Sequence, residues 1–220
     1  MITAHHLVFG RKYGISSGNY YLNDTLQYFS TINGKVYNTN GPKSHIPAYE
    51  FVLGNLVTQT LPASSVWSIS FWIKTTSTTL VNVLAELSSN FNIKRGFLID
   101  LNDTSSVLGK IMAGISTSNS TNLKNTNDII NDGTWKHIVI ILDRSQIVSN
   151  EIKIYINNSL KTNLIYLDSN IEQTGDFISE KIYFGARSNS LQFPYKGYMS
   201  IPKLYNRNLL PTEITNLYNE

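Results

Sequence analysis

The chain has 220 residues, a net charge of +3 and no cysteine, with 41% hydrophobic, 11% aromatic and 15% charged residues. That aromatic-rich, charge-poor composition excludes a disordered chain. The missing cysteine excludes a disulfide scaffold, thiolate zinc sites and cysteine nucleophiles. The 18 Lys and Arg residues form no run, so a nucleic-acid footprint is not indicated. The length suits one β-sandwich or barrel that buries roughly 70% of its unfolded surface. The start, M-I-T-A-H-H-L-V-F-G, has no basic and apolar pair of regions, so no secretory signal is expected. No apolar stretch approaches the roughly 18 residues of a membrane span, and no membrane insertion is expected. Asn and Ile each occur about 25 times and Ala about six times, a bias that fits an AT-rich genome and disfavours helix.

Strand signals dominate in chain order. The first 66 residues are irregular and rich in Tyr, Asn, Gly and Ser, with short strands expected near 4–9, 26–37 and 49–59. Residues 67–75, W-S-I-S-F-W-I-K-T, place Trp67, Ile69, Phe71 and Ile73 on one face and Ser68, Ser70 and Trp72 on the other. Polar loops are expected at 74–79 and 116–128. Between them lie strands at 96–101 and 107–115, with bends at Gly109 and Gly114. Residues 135–142, W-K-H-I-V-I-I-L, read as a central buried strand. In 151–156, Ile152, Ile154 and Ile156 point inward and Glu151, Lys153 and Tyr155 outward. Asn157-Asn158 tolerate positive φ and predict a tight hairpin into 159–164. Strands at 181–186 and 196–205 follow. At the end, Pro211 suits a first helical position, Glu213 the first turn, and Ile214, Leu217 and Tyr218 one face. Many short strands with one terminal helix predict an all-β, two-sheet antiparallel sandwich formed by 1–220 as a single domain.

Five motifs carry a family resemblance. They are W-S-I-S-F-W-I-K at 67–74, N-D-G-T-W-K-H-I-V-I-I-L-D at 131–143, I-K-I-Y-I-N-N-S-L at 152–160, I-Y-F-G-A-R at 182–187, and Y-K-G-Y-M-S-I-P-K-L-Y-N-R-N-L-L-P-T-E-I-T-N-L-Y at 195–218. In this order they resemble the laminin-G-like, concanavalin A-like jelly-roll family of lectins and glucanases. The resemblance covers 67–220 as a recognisable core and leaves 1–66 as a divergent N-terminal part. It implies a jelly-roll sandwich. Met199-Ser200-Ile201-Pro202 stands where the family commonly carries acidic residues, and A-Y-E-F-V-L-G-N-L-V at 48–57 lacks its acidic strand motif.

The glucanases of this fold resemble one another in an E-x-D-x-x-E strand that presents two carboxylates to a sugar. No such run occurs here, so no catalysis is expected and no catalytic residue is named. Asp100, Asn102 and Asp103 read first as a strand-end turn, and alternatively as oxygen ligands of a calcium ion. Adjacent His5 and His6 cannot chelate together on a strand. His137 reads as structural, His45 stands alone, and Trp67, Trp72 and Trp135 read as core. Phe193, Tyr195 and Tyr198 lie beside Arg187, Asn189 and Gln192. In the resembled family the loop after G-A-R lies on the ligand-facing rim. Arg187, Asn189, Gln192 and Tyr195 are therefore the expected glycan-binding residues, against a solvated loop as the plain alternative.

Fold alone does not give function. The composition points to a non-enzymatic viral, phage-type structural or adhesion protein: a capsid decoration, head fibre or tail-fibre module. Its partners would be cell-surface glycans and virion proteins or copies of itself, on a virion or extracellular surface. The alternative is a bacterial carbohydrate-binding or adhesion module, and after it a glycoside hydrolase. Phe9, Tyr13, Tyr20, Tyr21, Tyr28 and Phe29 would either complete the sheets or form an assembly interface.

Overall fold

The computed structural model describes residues 30–43, 46–57, 60–87, 95–102, 108–116, 121–162, 165–168, 175–187 and 192–220. The expected strand at 4–9, His5, His6, His45, Asp103, Asn189 and the aromatic residues of 1–29 lie outside them. The strands are β1 Ser30–Asn40, β2 Pro47–Val57, β3 Val66–Lys74, β4 Asn82–Leu87, β5 Phe97–Leu101, β6 Ile111–Ser116, β7 Thr121–Asn125, β8 Lys136–Asp143, β9 Ile152–Ile156, β10 Ser159–Leu160, β11 Ile165–Asp168, β12 Ile182–Phe184, β13 Gly197–Ser200 and β14 Lys203–Tyr205. One helix, α1, spans Pro211–Asn219.

The strands form two antiparallel sheets that pack as a sandwich. One layer runs β10-β9-β8-β3-β13, with β14 also paired to β3, and the other runs β12-β4-β5-β6-β7-β11. Strand β2 links them: its Ala48–Phe51 half pairs with β13, and Leu56 and Val57 pair with β12. The core lies between the layers. Trp67, Ile69, Phe71 and Ile73 take the face their alternation predicts, each no more than 1% exposed. With Ile138, Ile140, Leu142, Ile152, Ile154 and Ile156 they meet Leu84, Leu87, Phe97, Ile99, Leu101, Ile111 and Ile115 of the other sheet.

Helix α1 covers the outer face of the first sheet. Ile214 and Leu217 pack on Val139, Ile141, Tyr205 and Leu209, a burial that stabilises by about 1.5–3 kcal/mol per side chain. Pro211 opens the helix, and the Glu213 carboxylate accepts a 2.8 Å bond from the Leu210 N–H. At the far end the Tyr218 ring stacks on Trp72 with centroids 5.6 Å apart. The Lys43 ammonium donates to the Tyr218 carbonyl at 2.7 Å.

Four sequence expectations are corrected. The polar 116–128 stretch holds a strand, β7. Its inward residues are polar yet buried: the Asn122 amide donates to the Glu151 carboxylate at 2.9 Å, and the Lys124 ammonium to the Ser149 carbonyl at 2.8 Å. Glu151 consequently points inward and is 0% exposed, not outward. The 107–115 strand begins only at Ile111, because Gly109 sits in a turn at φ +78 where a Cβ would lie 2.4 Å from the Asn131 side-chain oxygen. The 196–205 strand breaks at Ile201-Pro202 into β13 and β14, since proline has no N–H for a ladder.

Candidate functional site

At the end of the sandwich where β4 begins, four segments converge: 75–81, Asn102 with 108–110 between β5 and β6, 126–135, and 192–196. Asn102 clamps them. Its backbone takes φ 62, a left-handed conformation that Asn tolerates well. Its side-chain amide donates to the Ser77 and Thr79 carbonyls at 2.9 Å each, and its side-chain oxygen accepts the Gly109 N–H. Its carbonyl accepts the Val81 N–H at 2.7 Å. Asn131 donates to the Ser77 carbonyl at 3.0 Å, and Thr75 Oγ1 donates to the Lys196 carbonyl at 2.6 Å. The Phe193 carbonyl accepts the Val83 N–H at 2.9 Å. Of the expected rim, 187–198 with the 100–104 turn, the described parts Phe193 and Asn102 meet the two flanks of the β4 start at Val83 and Val81; 103–104 and 188–191 lie outside the described residues.

This rim carries large apolar side chains in water. Leu80 is 50% exposed, Ile129 65% and Phe193 40%. The same loops expose Thr76, Thr78, Thr79, Gln192 and Lys196. Val81 and Phe193 hold positive φ values of 50 and 54 without being glycine. Such backbone strain costs of order 1–3 kcal/mol per residue and concentrates at functional sites. A rigid loop set with one exposed aromatic ring, apolar neighbours, hydroxyls and an amide can stack on the C–H face of a sugar and hydrogen-bond its hydroxyls.

The expected site residues fall into different roles. Gln192 is exposed at the rim. Arg187 is partly committed: its Nε and Nη2 donate at 3.1 and 3.0 Å to one oxygen of Glu86, a residue only 1% exposed, and its guanidinium lies 5.9 Å from the Phe193 ring centroid. Tyr195 is a correction. It is 0% exposed, packs edge-on against Phe51, and its hydroxyl lies 3.2 Å from the Lys74 carbonyl and 3.1 Å from the Tyr198 carbonyl. Burial pushes its phenol far above the usual range, and no ring face remains for a ligand. Tyr198 lies on β13, where its hydroxyl donates to Glu50 at 3.1 Å. Trp67 is core, whereas Trp72 and Trp135 are only partly buried. Leu80 and Ile129 were missed; the available signal was a bulky apolar residue inside each polar loop, T-S-T-T-L and N-D-I-I-N.

Of the three expected calcium ligands, Asp100 and Asn102 are described. Asn102 is 0% exposed and its side-chain oxygen accepts the Gly109 N–H. Asp100 is 1% exposed on β5. Among the described residues no group of three His, Asp or Glu side chains could hold a metal ion. Glu86 and Asp100 do point to the same outer face of their sheet, with Glu86 opposite Leu98 and Asp100 opposite Val83. Both are buried to 1% exposure, whereas a glycosidase acid pair must flank a bound sugar.

His137 lies on the other sheet, 1% exposed, with Nε2 2.9 Å from Ser70 Oγ and its ring 5.0 Å from Trp72 and 5.9 Å from Tyr218. Burial, reinforced by Lys203 and Lys43, lowers its pKa to about 4. It is a neutral structural residue under the helix, as its strand motif predicted.

Comparison with known proteins supports the same architecture. No curated protein matches the chain. Among solved structures, domain 4 of AbnA, an extracellular GH43 arabinanase from Geobacillus stearothermophilus in complex with arabinotriose, aligns with TM-score 0.62 and 18% identity over 86% of this chain and 87% of that one. The binding domain of botulinum neurotoxin serotype G aligns with TM-score 0.60 and 17% identity over 86% of this chain. This chain spans only 46% of that domain. A heptameric SAP-like pentraxin from Limulus polyphemus aligns with TM-score 0.56 and 16% identity over 88% and 83% of the two chains. At these identities the likeness is one of fold. The sequence profile of one family matches residues 52–215, reaching back into β2 beyond the 67–220 core read from the motifs, and by that match the chain belongs to the concanavalin A-like lectin/glucanases superfamily.

Proposed function

We propose that this protein is a non-catalytic carbohydrate-recognition domain that binds glycans with the loop rim at the start of β4. The observation that carries the reading is Phe193: an exposed aromatic ring with a positive φ, beside Arg187 and next in sequence to exposed Gln192, on a loop whose Phe193 carbonyl is tied to the Val83 N–H. Two similar structures support it by their own ligands. The arabinanase domain was solved with arabinotriose, and the neurotoxin type C structure, with TM-score 0.59 and 18% identity, concerns cell entry through two ganglioside molecules. The buried state of Glu86 and Asp100 favours binding over hydrolysis.

As a setting we propose an exposed surface, a virion or a cell exterior, where such a rim meets glycans; the virion half rests on composition alone. A glycan array probed with the intact protein tests the reading, alongside incubation with each bound glycan to look for cleavage. Binding of at least one glycan class without turnover supports it. Turnover abolished by Glu86→Gln or Asp100→Asn refutes it in favour of a hydrolase.

A further inference from the structure

A separate open groove lies at the opposite end of the same sheet. The rim sits beside Asn82, the first residue of β4, whereas Leu87, the last, pairs with Ile182 of β12. The six residues between those ends span roughly 20 Å. Beside the β12 end is an open groove of about 570 Å³ lined by Thr60, Ile178, Ser179, Glu180, Lys181 and Tyr183. That volume lies within the roughly 300–1,000 Å³ of small-ligand sites.

The walls of the groove are fixed by the chain itself. The Leu61 N–H donates to the Glu180 carbonyl at 2.9 Å, and Ser179 Oγ donates back to the Leu61 carbonyl at 2.8 Å. The Phe177 and Ile178 N–H groups donate to the Ser64 and Arg95 carbonyls at 2.8 and 2.9 Å. Phe177 anchors the segment in the core, edge-on to Phe97 at 5.6 Å. A site built on such tied segments needs little ordering when a ligand enters.

Its lining has a particular chemistry. Thr60, Ser179 and Tyr183 bring hydroxyls, Glu180 a carboxylate acceptor, Lys181 an ammonium donor and Ile178 one apolar side. The Tyr183 phenol is held above its usual range first by burial and then by the charges of Glu180 and Glu86. A lining that combines hydroxyls, a carboxylate and an ammonium matches the hydroxyls of a neutral sugar, and Ile178 suits its C–H face.

We infer that the groove between Thr60 and Tyr183 is a second site for neutral saccharides, so that one chain is bivalent, with one site at each end of the β4 sheet. This inference rests on the carbohydrate-recognition reading. Two ends that each hold a glycan weakly would engage a branched or clustered surface with higher avidity.

The test is an NMR titration of the intact, isotope-labelled protein with arabinotriose, xylotriose, cellotriose and lactose in turn. The expected result is two separate sets of shifted resonances for at least one sugar: one around 60–61 and 178–183, the other around 79–80, 129 and 192–193. Glu180→Gln with Lys181→Ala should weaken the first set about tenfold and leave the second unchanged, because a lost charged hydrogen bond is worth about that factor. Shifts at the rim alone overturn the second site and leave the proposed function standing. Shifts at the groove alone refute the rim and, with it, the bivalence, and leave a single saccharide site at the groove. Shifts at neither end overturn both.

Discussion

Substituting His137→Gln should make the stability of this protein less dependent on pH between 6.5 and 4. His137 is buried under α1 beside Trp72 and Tyr218, and its pKa falls from 6.5 to about 4, through burial first and the charges of Lys203 and Lys43 second. Because the folded value lies below the unfolded one, unfolded chains take up the extra proton in that window. Stability is therefore full above about pH 6.5 and declines as the pH falls toward 4. A 2.5-unit difference at about 1.4 kcal/mol per unit corresponds to roughly 3 kcal/mol of lost stability at the acid end. Glutamine keeps an amide within reach of Ser70 and cannot protonate. Urea unfolding of both proteins at pH 7.5, 6, 5 and 4.5 measures the effect. The two stability curves should diverge at neutral pH and converge toward acid. Parallel curves would refute the burial of a neutral His137. Asp132 and Glu213, whose pKa values are lowered by Lys136 and Arg207 respectively, are unchanged by the substitution and cancel in the comparison.

Further outcomes follow from packing. Trp67→Ala should cost about 3–5 kcal/mol in chemical denaturation, since the side chain is fully buried between the sheets. Trp135→Ala should cost clearly less, about 1–2 kcal/mol, because that ring is partly exposed and touches Tyr198 edge-on. Tyr195→Phe should lower stability by about 1–2 kcal/mol through the lost bond to the Lys74 and Tyr198 carbonyls, with glycan titrations unchanged. Arg187→Leu should cost about 2–3 kcal/mol, less than a fully buried pair because the guanidinium is partly in water; equal melting temperatures would show that Glu86 does not depend on it.

The sequence was most legible where apolar residues alternate without interruption. Strands β3, β8 and β9 show their inward faces as Trp67-Ile69-Phe71-Ile73, Ile138-Ile140-Leu142 and Ile152-Ile154-Ile156, and α1 shows its stripe as Ile214 and Leu217. Strand β7 was read as loop because its inward positions are Asn122 and Lys124, which are buried only by virtue of Glu151 and the carbonyls at 148–149, partners distant in sequence. Strand β4 carries Glu86 in N-V-L-A-E-L, a residue whose burial depends on Arg187 about a hundred positions later. Side-chain direction in loops was the least legible property. Phe193 and Tyr195 stand two apart in one aromatic loop, yet one ring is 40% exposed and the other 0%. The distinction is made by Lys74 and Tyr198, whose carbonyls capture the Tyr195 hydroxyl.

In the proposed function, the loop rim binds glycans through Phe193 and its neighbours. Calorimetric titration of the tightest glycan from the array against the parent protein and the Phe193→Ala, Gln192→Ala double variant tests it most directly. Both side chains are exposed, so the melting temperature should be nearly unchanged. Affinity at the rim should fall at least tenfold, as expected when a stacking ring and a hydrogen-bonding amide are removed together. Undiminished affinity in a variant that melts with the parent would contradict it.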